Sequence, residues 1–361
     1  MIMAGIDHYP YRMPGAGVSA NGGMGSAMDD GSRYDWSVQV EQAFPMSRLR
    51  HHRRRAAEAG VDVDRFALDE TRAQVGLEVA QAFFMLYEAE AMVVVRDNQV
   101  MTASRLVEIA ERRLASALGD QSELMRAEAE HARQLAERDV AQARVNGAKA
   151  MFNAALGRPV HLPVPPLVTP DLEVAIPTAQ QAVQRAVGSR PELSRMQAEV
   201  RRAGAEVDVM RSMGAPMGFV RVGEARTMAE GRGWMAMVGV SVPLARGRVR
   251  AGVSEAVAMQ AMAEAETDAM RRMVEAEAIV AREAVAAARG RALAYRDEVM
   301  PRSRRAVESA MQAYAAGSGS LVDVLEATQA QWRTEEAQVM ALSAWGQAWA
   351  ELRRAVGGEG L

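Results

Sequence analysis

The sequence predicts a mainly α-helical protein with a small β part, built as two copies of one unit. Three observations carry this. Identical residues recur 198 positions apart: Trp36 with Trp234, Val40 with Val238, Pro45 with Pro243, Arg48 with Arg246, Arg50 with Arg248. The same offset pairs Gly119 with Gly317 and Ser122 with Ser320, far downstream and with no gap. Such self-similarity is the mark of a duplicated unit. Finally, each copy shows a short stretch of period-2 alternation followed by a long stretch of helix-forming residues.

The strands come first. Over 34–45, Tyr34, Trp36, Val38, Val40 and Phe44 fall on one face, and Asp35, Ser37, Gln39 and Glu41 on the other. Its counterpart carries Trp234, Ala236, Val238, Val240, Val242 and Leu244 opposite Met235, Met237, Gly239 and Ser241. Alternation of this kind places an apolar and a polar face on one strand. Pro45 and Pro243 are read as strand ends, since proline cannot donate to a ladder. Preceding strands are expected near 1–13 and 215–227, giving four in all, with Gly-rich loops near 14–33 and 228–232.

Long helices follow. Residues 47–117 hold no proline, and 247–316 hold only Pro301. About 70 residues of α-helix would be roughly 100 Å long. Apolar residues at 3–4 spacing (Val75, Val79, Phe83, Leu86, later Leu106 and Ile109) suggest coiled-coil-like packing. Gly119-Asp120 and Gly317-Ser318-Gly319 break these helices, and return helices are expected at about 122–156 and 320–356. The domains so read are a first repeat at 1–158, a Pro-rich linker at 159–189 and a second repeat at 190–361. The second repeat opens with a helix from Arg190-Pro191-Glu192-Leu193 to about Ser212. Its counterpart would fall before or across the chain start, so the sequence is expected to begin inside a longer protein.

Composition narrows the function. A net charge of −3 lacks the basic footprint of nucleic-acid binding. With no cysteine there is no disulfide, thiolate metal site or cysteine nucleophile. No apolar run approaches the roughly 20 residues of a transmembrane helix. No serine-nucleophile motif, phosphate loop or paired-carboxylate site stands out, so no enzyme, cofactor or catalytic residue is expected. His51-His52 sit in a basic run and His8, His131 and His161 are isolated, so no metal site is assigned. Methionine is abundant, with 25 residues. Thioethers suit soft monovalent metals, but most of these methionines read as adaptable packing residues.

Four strands cannot close a membrane barrel, which needs eight or more, but three chains would supply twelve. The apolar face, with Tyr34, Trp36 and Trp234 as interfacial aromatics, suits lipid. The alternative is a soluble sheet with one buried face.

The residues that decide between these are VQVEQAFPMSRLRHHRR at 38–54, VGVSVPLARGRVRA at 238–251, LGDQSELMRAEAE at 118–130 and GSGSLVDVLEATQ at 317–329. With AALGRP at 154–159, their order and spacing resemble the TolC-like outer-membrane efflux factors. The opening MIMAGIDHYP looks most like the heavy-metal branch. The resemblance implies a homotrimer with a twelve-stranded β-barrel in outer-membrane lipid and a periplasmic α-helical tunnel. It also implies docking to a periplasmic adaptor and a proton-driven inner-membrane pump, with passive conduction and no chemistry. On that basis Gly119, Ser122, Gly317 and Ser320 are candidates for the adaptor-facing tip. Asp323 and Glu326 match acidic positions at the tunnel aperture, although both also suit a helix N-terminus. The family often has an arginine where Gly319 stands, which leaves a salt-bridged gate without that partner. A soluble coiled-coil scaffold and a periplasmic adaptor-like hairpin protein are the alternatives.

Overall fold

The computed structural model describes residues 2–5, 36–117, 119–227, 231–244 and 246–358. The order is β1 (Ile2–Gly5), β2 (Trp36–Pro45), α1 (Leu49–Ala115), α2 (Gln121–Ala155), α3 (Ala179–Ser189), α4 (Pro191–Ser212), β3 (Met217–Thr227) and β4 (Gly231–Ser241). There follow α5 (Arg246–Ala294), a π turn at Tyr295–Val299, α6 (Met300–Ala315) and α7 (Leu321–Ala355). The fold is thus mainly helical with a small β part. Tyr34 and the loop at 14–33 lie outside the described residues.

Two compact units share the long helices. The first comprises Met1–Asp64 and Met196–Thr267. Its core feature is one antiparallel sheet in the order β1-β2-β3-β4. Register puts Val38, Val40 and Phe44 on the same face as Val220 and Val222 of β3 and Trp234, Val238 and Val240 of β4. These apolar side chains are exposed in the single chain, Trp234 at 78% and Val238 at 80%. The opposite face carries Gln39, Glu41, Arg221, Met235 and Met237. There Arg221 binds Glu41 across the strands. Phe219 lies over Gly239, where an added Cβ would sit 2.4 Å from the ring.

β4 ends at Ser241, so Val242 and Leu244 are not strand residues as the alternation suggested. The reason is pairing: Ser241 faces Met217, the first residue of β3, so no partner exists beyond it. Pro243 could not have donated in any case.

The second unit comprises Arg65–Arg195 and Asp268–Leu361. Leu86 and Leu106 are buried as the spacing suggested, whereas Val75 is exposed in the single chain. The segment 159–189 is more than a linker. Its start is tied down by Asn153, whose Nδ2 donates to the carbonyls of Val160 (3.2 Å) and Leu162 (2.8 Å). Leu172 is buried with Ala292, Ala341 and Trp345. α3 then forms behind a capping box in which Thr178 and Gln181 satisfy each other's backbone N–H groups. Its small residues Ala182 and Ala186 pack with Val274, Ala278 and Leu352. Proline density hid this helix, because the cap follows Pro177 directly.

An ion cluster fixes the α3–α4 junction. Arg190 is 3% exposed and holds Glu192 through Nη2 (2.8 Å) and Nε (3.3 Å). It also binds Glu277 of α5, and Arg354 of α7 reaches Glu192 at 2.9 Å. Burial alone would raise the Glu192 carboxyl, but the Arg190 hydrogen bonds, its own backbone N–H and the charges of Arg190 and Arg354 together outweigh it and hold the group below its usual range.

Candidate functional site: the paired hairpin tips

The two hairpin turns are built alike, from different residues. In the first, Ala117 takes φ 56° and the Gly119 N–H donates to the Arg113 carbonyl at 3.1 Å. In the second, Gly317 takes φ 77° and the Gly319 N–H donates to the Ala313 carbonyl at 3.0 Å. Asp120 caps α2 by accepting from the Glu123 N–H, and Ser320 caps α7 by accepting from the Asp323 N–H.

These equivalences run at an offset of 200, not 198. The structural partner of Gly119 is therefore Gly319, that of Gly317 is Ala117, and that of Ser320 is Asp120. The pairing of Gly119 with Gly317 and of Ser122 with Ser320 is corrected on this point. Strand to tip, the second copy has gained two residues. A turn closed i→i+5 holds one residue more than an α turn, so the π turn at Tyr295–Val299 takes up one of them. Pro301 follows the π turn directly in a continuous helix, where the i→i+4 ladder is already interrupted and a missing N–H is accommodated.

The glycines serve different ends. Gly317 supplies the left-handed conformation that Ala117 adopts at a cost. Gly119 and Gly319 allow close approach: an added Cβ would lie 3.2 Å from Arg113 Cβ and 3.2 Å from Ala313 Cβ respectively.

Ser122 donates to Asp120 Oδ1 at 2.6 Å. That hydroxyl, then the Glu123 N–H, holds the Asp120 carboxyl below the usual range. Asp323 accepts from the Ser320 hydroxyl at 2.7 Å and its N–H at 3.1 Å, completing a reciprocal cap that lowers its carboxyl likewise. Both Asp323 and Glu326 are exposed in the single chain. Trp234 stands on the exposed apolar face of the sheet in the first unit, and Trp36 is in β2 on the same register face.

Three residues that sequence reading passed over join the tips. Tyr314, at the end of α6, is fully buried. Its hydroxyl donates to Glu123 Oε2 of α2 at 2.9 Å. Arg113 of α1 stacks on its ring at 4.4 Å and donates to its carbonyl at 2.8 Å. Arg113 Nε also lies 3.8 Å from Glu123 Oε2. Burial first, then the Glu123 hydrogen bond and charge, push the Tyr314 phenol up to about 12. An apolar cluster of Leu106, Leu321 and Val324 surrounds the ring. The arrangement ties the first hairpin to the second by one aromatic residue, one anion and one cation. A large aromatic followed by a glycine turn was the available signal.

Residues 182–358 match the outer membrane efflux protein family. Over this stretch the chain is similar to that family. It is a family of transport channels, not of enzymes. No curated protein matches the chain in sequence. Among solved structures, the fold is similar to that of the outer membrane protein VceC from Vibrio cholerae, with TM-score 0.75, 16% identity, 99% of this chain and 85% of that one. It is also similar to CusC, with TM-score 0.78, 17% identity, 90% of this chain and 78% of that one. The outer membrane channel MtrE of Neisseria gonorrhoeae, in its open state, aligns at TM-score 0.73 and 17% identity, over 90% of this chain and 76% of that one. The outer membrane efflux fold thus extends beyond the family match to most of the chain.

Proposed function

We propose that three copies of this chain form a passive efflux conduit across the outer membrane. The observation that carries this is the sheet. Its apolar face is exposed on β2, β3 and β4, and β1 and β4 each have one edge without a strand partner among the described residues. A sheet with a bare apolar face and open edges is unsatisfied alone; closure with further copies pairs the edges, and lipid covers the face. The face bearing Gln39, Glu41 and Arg221 then lines a wet lumen. On this reading the tips bearing Gly119, Ser122, Gly317 and Ser320 meet a periplasmic adaptor, and an inner-membrane pump supplies the energy. Trp234, Trp36 and Tyr34 anchor the sheet at the lipid interface.

The test is the mass of the detergent-extracted outer-membrane protein. A trimer from the membrane fraction supports the conduit. A water-soluble monomer or dimer with no membrane fraction refutes it and favours a coiled-coil scaffold.

We also propose that Asp323 and Glu326 form acidic rings at the narrow end of the tunnel. Their exposure leaves them free to face a threefold axis, and carboxylate rings favour cations. Cation-over-anion selectivity in planar bilayers should fall in Asp323→Asn; unchanged selectivity removes the role. The proposed cargo is heavy-metal ions, supported by the N-terminal resemblance and by Met235 and Met237 on the polar face of the sheet. Soft thioethers there would favour monovalent thiophilic ions. Loss of silver tolerance in Met235→Leu/Met237→Leu, with potassium conductance retained, is the expected result.

A further inference from the structure

The first unit carries a charge pattern that conduction leaves unexplained. Arg48, Arg50, Arg53, Arg54 and Arg55 cluster at the start of α1, and Arg246, Arg248 and Arg250 at the start of α5. All eight are exposed. No Asp or Glu occurs between residues 46 and 57 or between 242 and 254, although the chain as a whole carries a net −3. Among the described residues, Arg54 pairs with Glu58 at 2.7 Å and Arg50 reaches the Ala43 carbonyl at 3.5 Å. The remaining six have no carboxylate partner there, while arginines elsewhere in the chain, such as Arg190 and Arg195, are paired.

The two clusters occur at one end of one sheet. Pro45, Met217 and Ser241 share a register row, so β2 and β4 finish at the same end of the sheet, on either side of β3, and deliver their arginines there. The end of α4 lies between the two helix starts. Met46 N–H donates to the Pro216 carbonyl at 3.2 Å, and Gly214 and Val249 are in close contact. The exposed apolar face runs to this end: Phe44, Met46, Val242 and Leu244 are exposed, Leu244 at 90%. Cations at a helix start oppose the macrodipole and one another. The first turns of α1 and α5 hold no acidic residue to offset this. Such an arrangement favours the binding of an external anion.

We infer that these arginines form a belt that binds anionic phospholipid headgroups of the periplasmic leaflet. The inference rests on the sheet being membrane-inserted. Continuity with the apolar face places the belt at headgroup depth, where guanidinium groups reach phosphate while their stems cover apolar surface. Guanidinium matches phosphate geometry with paired hydrogen bonds. The phosphate of phosphatidylglycerol, with no compensating ammonium, is the fitting partner.

The test uses the full chain reconstituted in phosphatidylethanolamine vesicles with and without phosphatidylglycerol. Spin-labelled phosphatidylglycerol and phosphatidylethanolamine report which lipid is immobilised at the protein. Wild type should prefer the glycerol lipid several-fold, and the preference should fade with added salt, because exposed charges are screened. Arg48→Gln/Arg53→Gln/Arg55→Gln and Arg246→Gln/Arg248→Gln/Arg250→Gln should each lower the preference, while the matching lysine triples should keep most of it. If a glutamine variant does not fold, the wild-type preference and its salt dependence decide. Insertion without preference, or preference unchanged in both glutamine variants, overturns the belt alone. Binding to purified peptidoglycan that the glutamine triples abolish, without lipid preference in wild type, overturns it in favour of a cell-wall contact. Failure to insert into either vesicle overturns the conduit reading and the belt together.

Discussion

Tyr314 shows how much one residue holds. Its hydroxyl is the hydrogen-bond donor to Glu123, and its ring is the platform for Arg113. A hydrogen bond to a charged acceptor contributes about 1.5–3 kcal/mol. Tyr314→Phe removes that donor, keeps the ring, and should loosen the link between the hairpins. A closed-to-open equilibrium would shift by about tenfold or more at that cost. The check is single-channel conductance, which should rise in Tyr314→Phe and in Glu123→Gln. The titration has a defined sign. The phenol is raised to about 12, so the link is intact below the ordinary tyrosine range, near 10, and weakens as pH climbs through 12. Ultraviolet difference spectra of wild type against Tyr314→Phe should show one tyrosine ionising near that value.

At the scale of elements, packing between helices sets the constraints. Gly346 of α7 meets Phe84 of α1 so closely that an added Cβ would lie 2.2 Å from the ring. Ser343 adds a hydrogen bond to the Phe84 carbonyl at 3.1 Å. Gly346→Ala would force the ring or the helix to move, at about 1–3 kcal/mol. A lowered thermal midpoint with unchanged helix content is the expected reading by circular dichroism. The junction of α3, α4, α5 and α7 depends on charge instead. Glu192 has a lowered pKa, so its contribution is full above the ordinary glutamate range and disappears as pH falls through its own value. Thermal midpoints of wild type and Glu192→Gln should therefore differ at neutral pH and converge only in acid below the ordinary glutamate range. A gap that persists in acid would mean that packing, not charge, makes the difference.

For the whole molecule, the sheet decides where the protein resides. The exposed row containing Val238 and Val240 costs water contact in a monomer, and lipid removes that cost. An arginine on the lipid face of a barrel costs about 2–4 kcal/mol near the midplane. Val238→Arg should reduce the amount recovered in the outer-membrane fraction. Met237→Arg, on the opposite face, should leave it unchanged. Equal recovery of both variants would argue against a lipid-facing row.

The chain's own letters determined the two-copy plan, the alternation of β2 and most of β4, and the long helices with their glycine breaks. All of these are local, set by side-chain period and by residues that cannot continue an element. The true register of the tips was not legible, because identical glycines at 119 and 317 play different backbone roles. Only φ and the donors to Arg113 and Ala313 distinguish them. Nor was α3 legible within its proline-rich surroundings. The contact of Arg113, Tyr314 and Glu123 joins residues about 200 positions apart, and no local pattern encodes it. Tertiary structure alone decided that contact, since it exists only when separate helices meet.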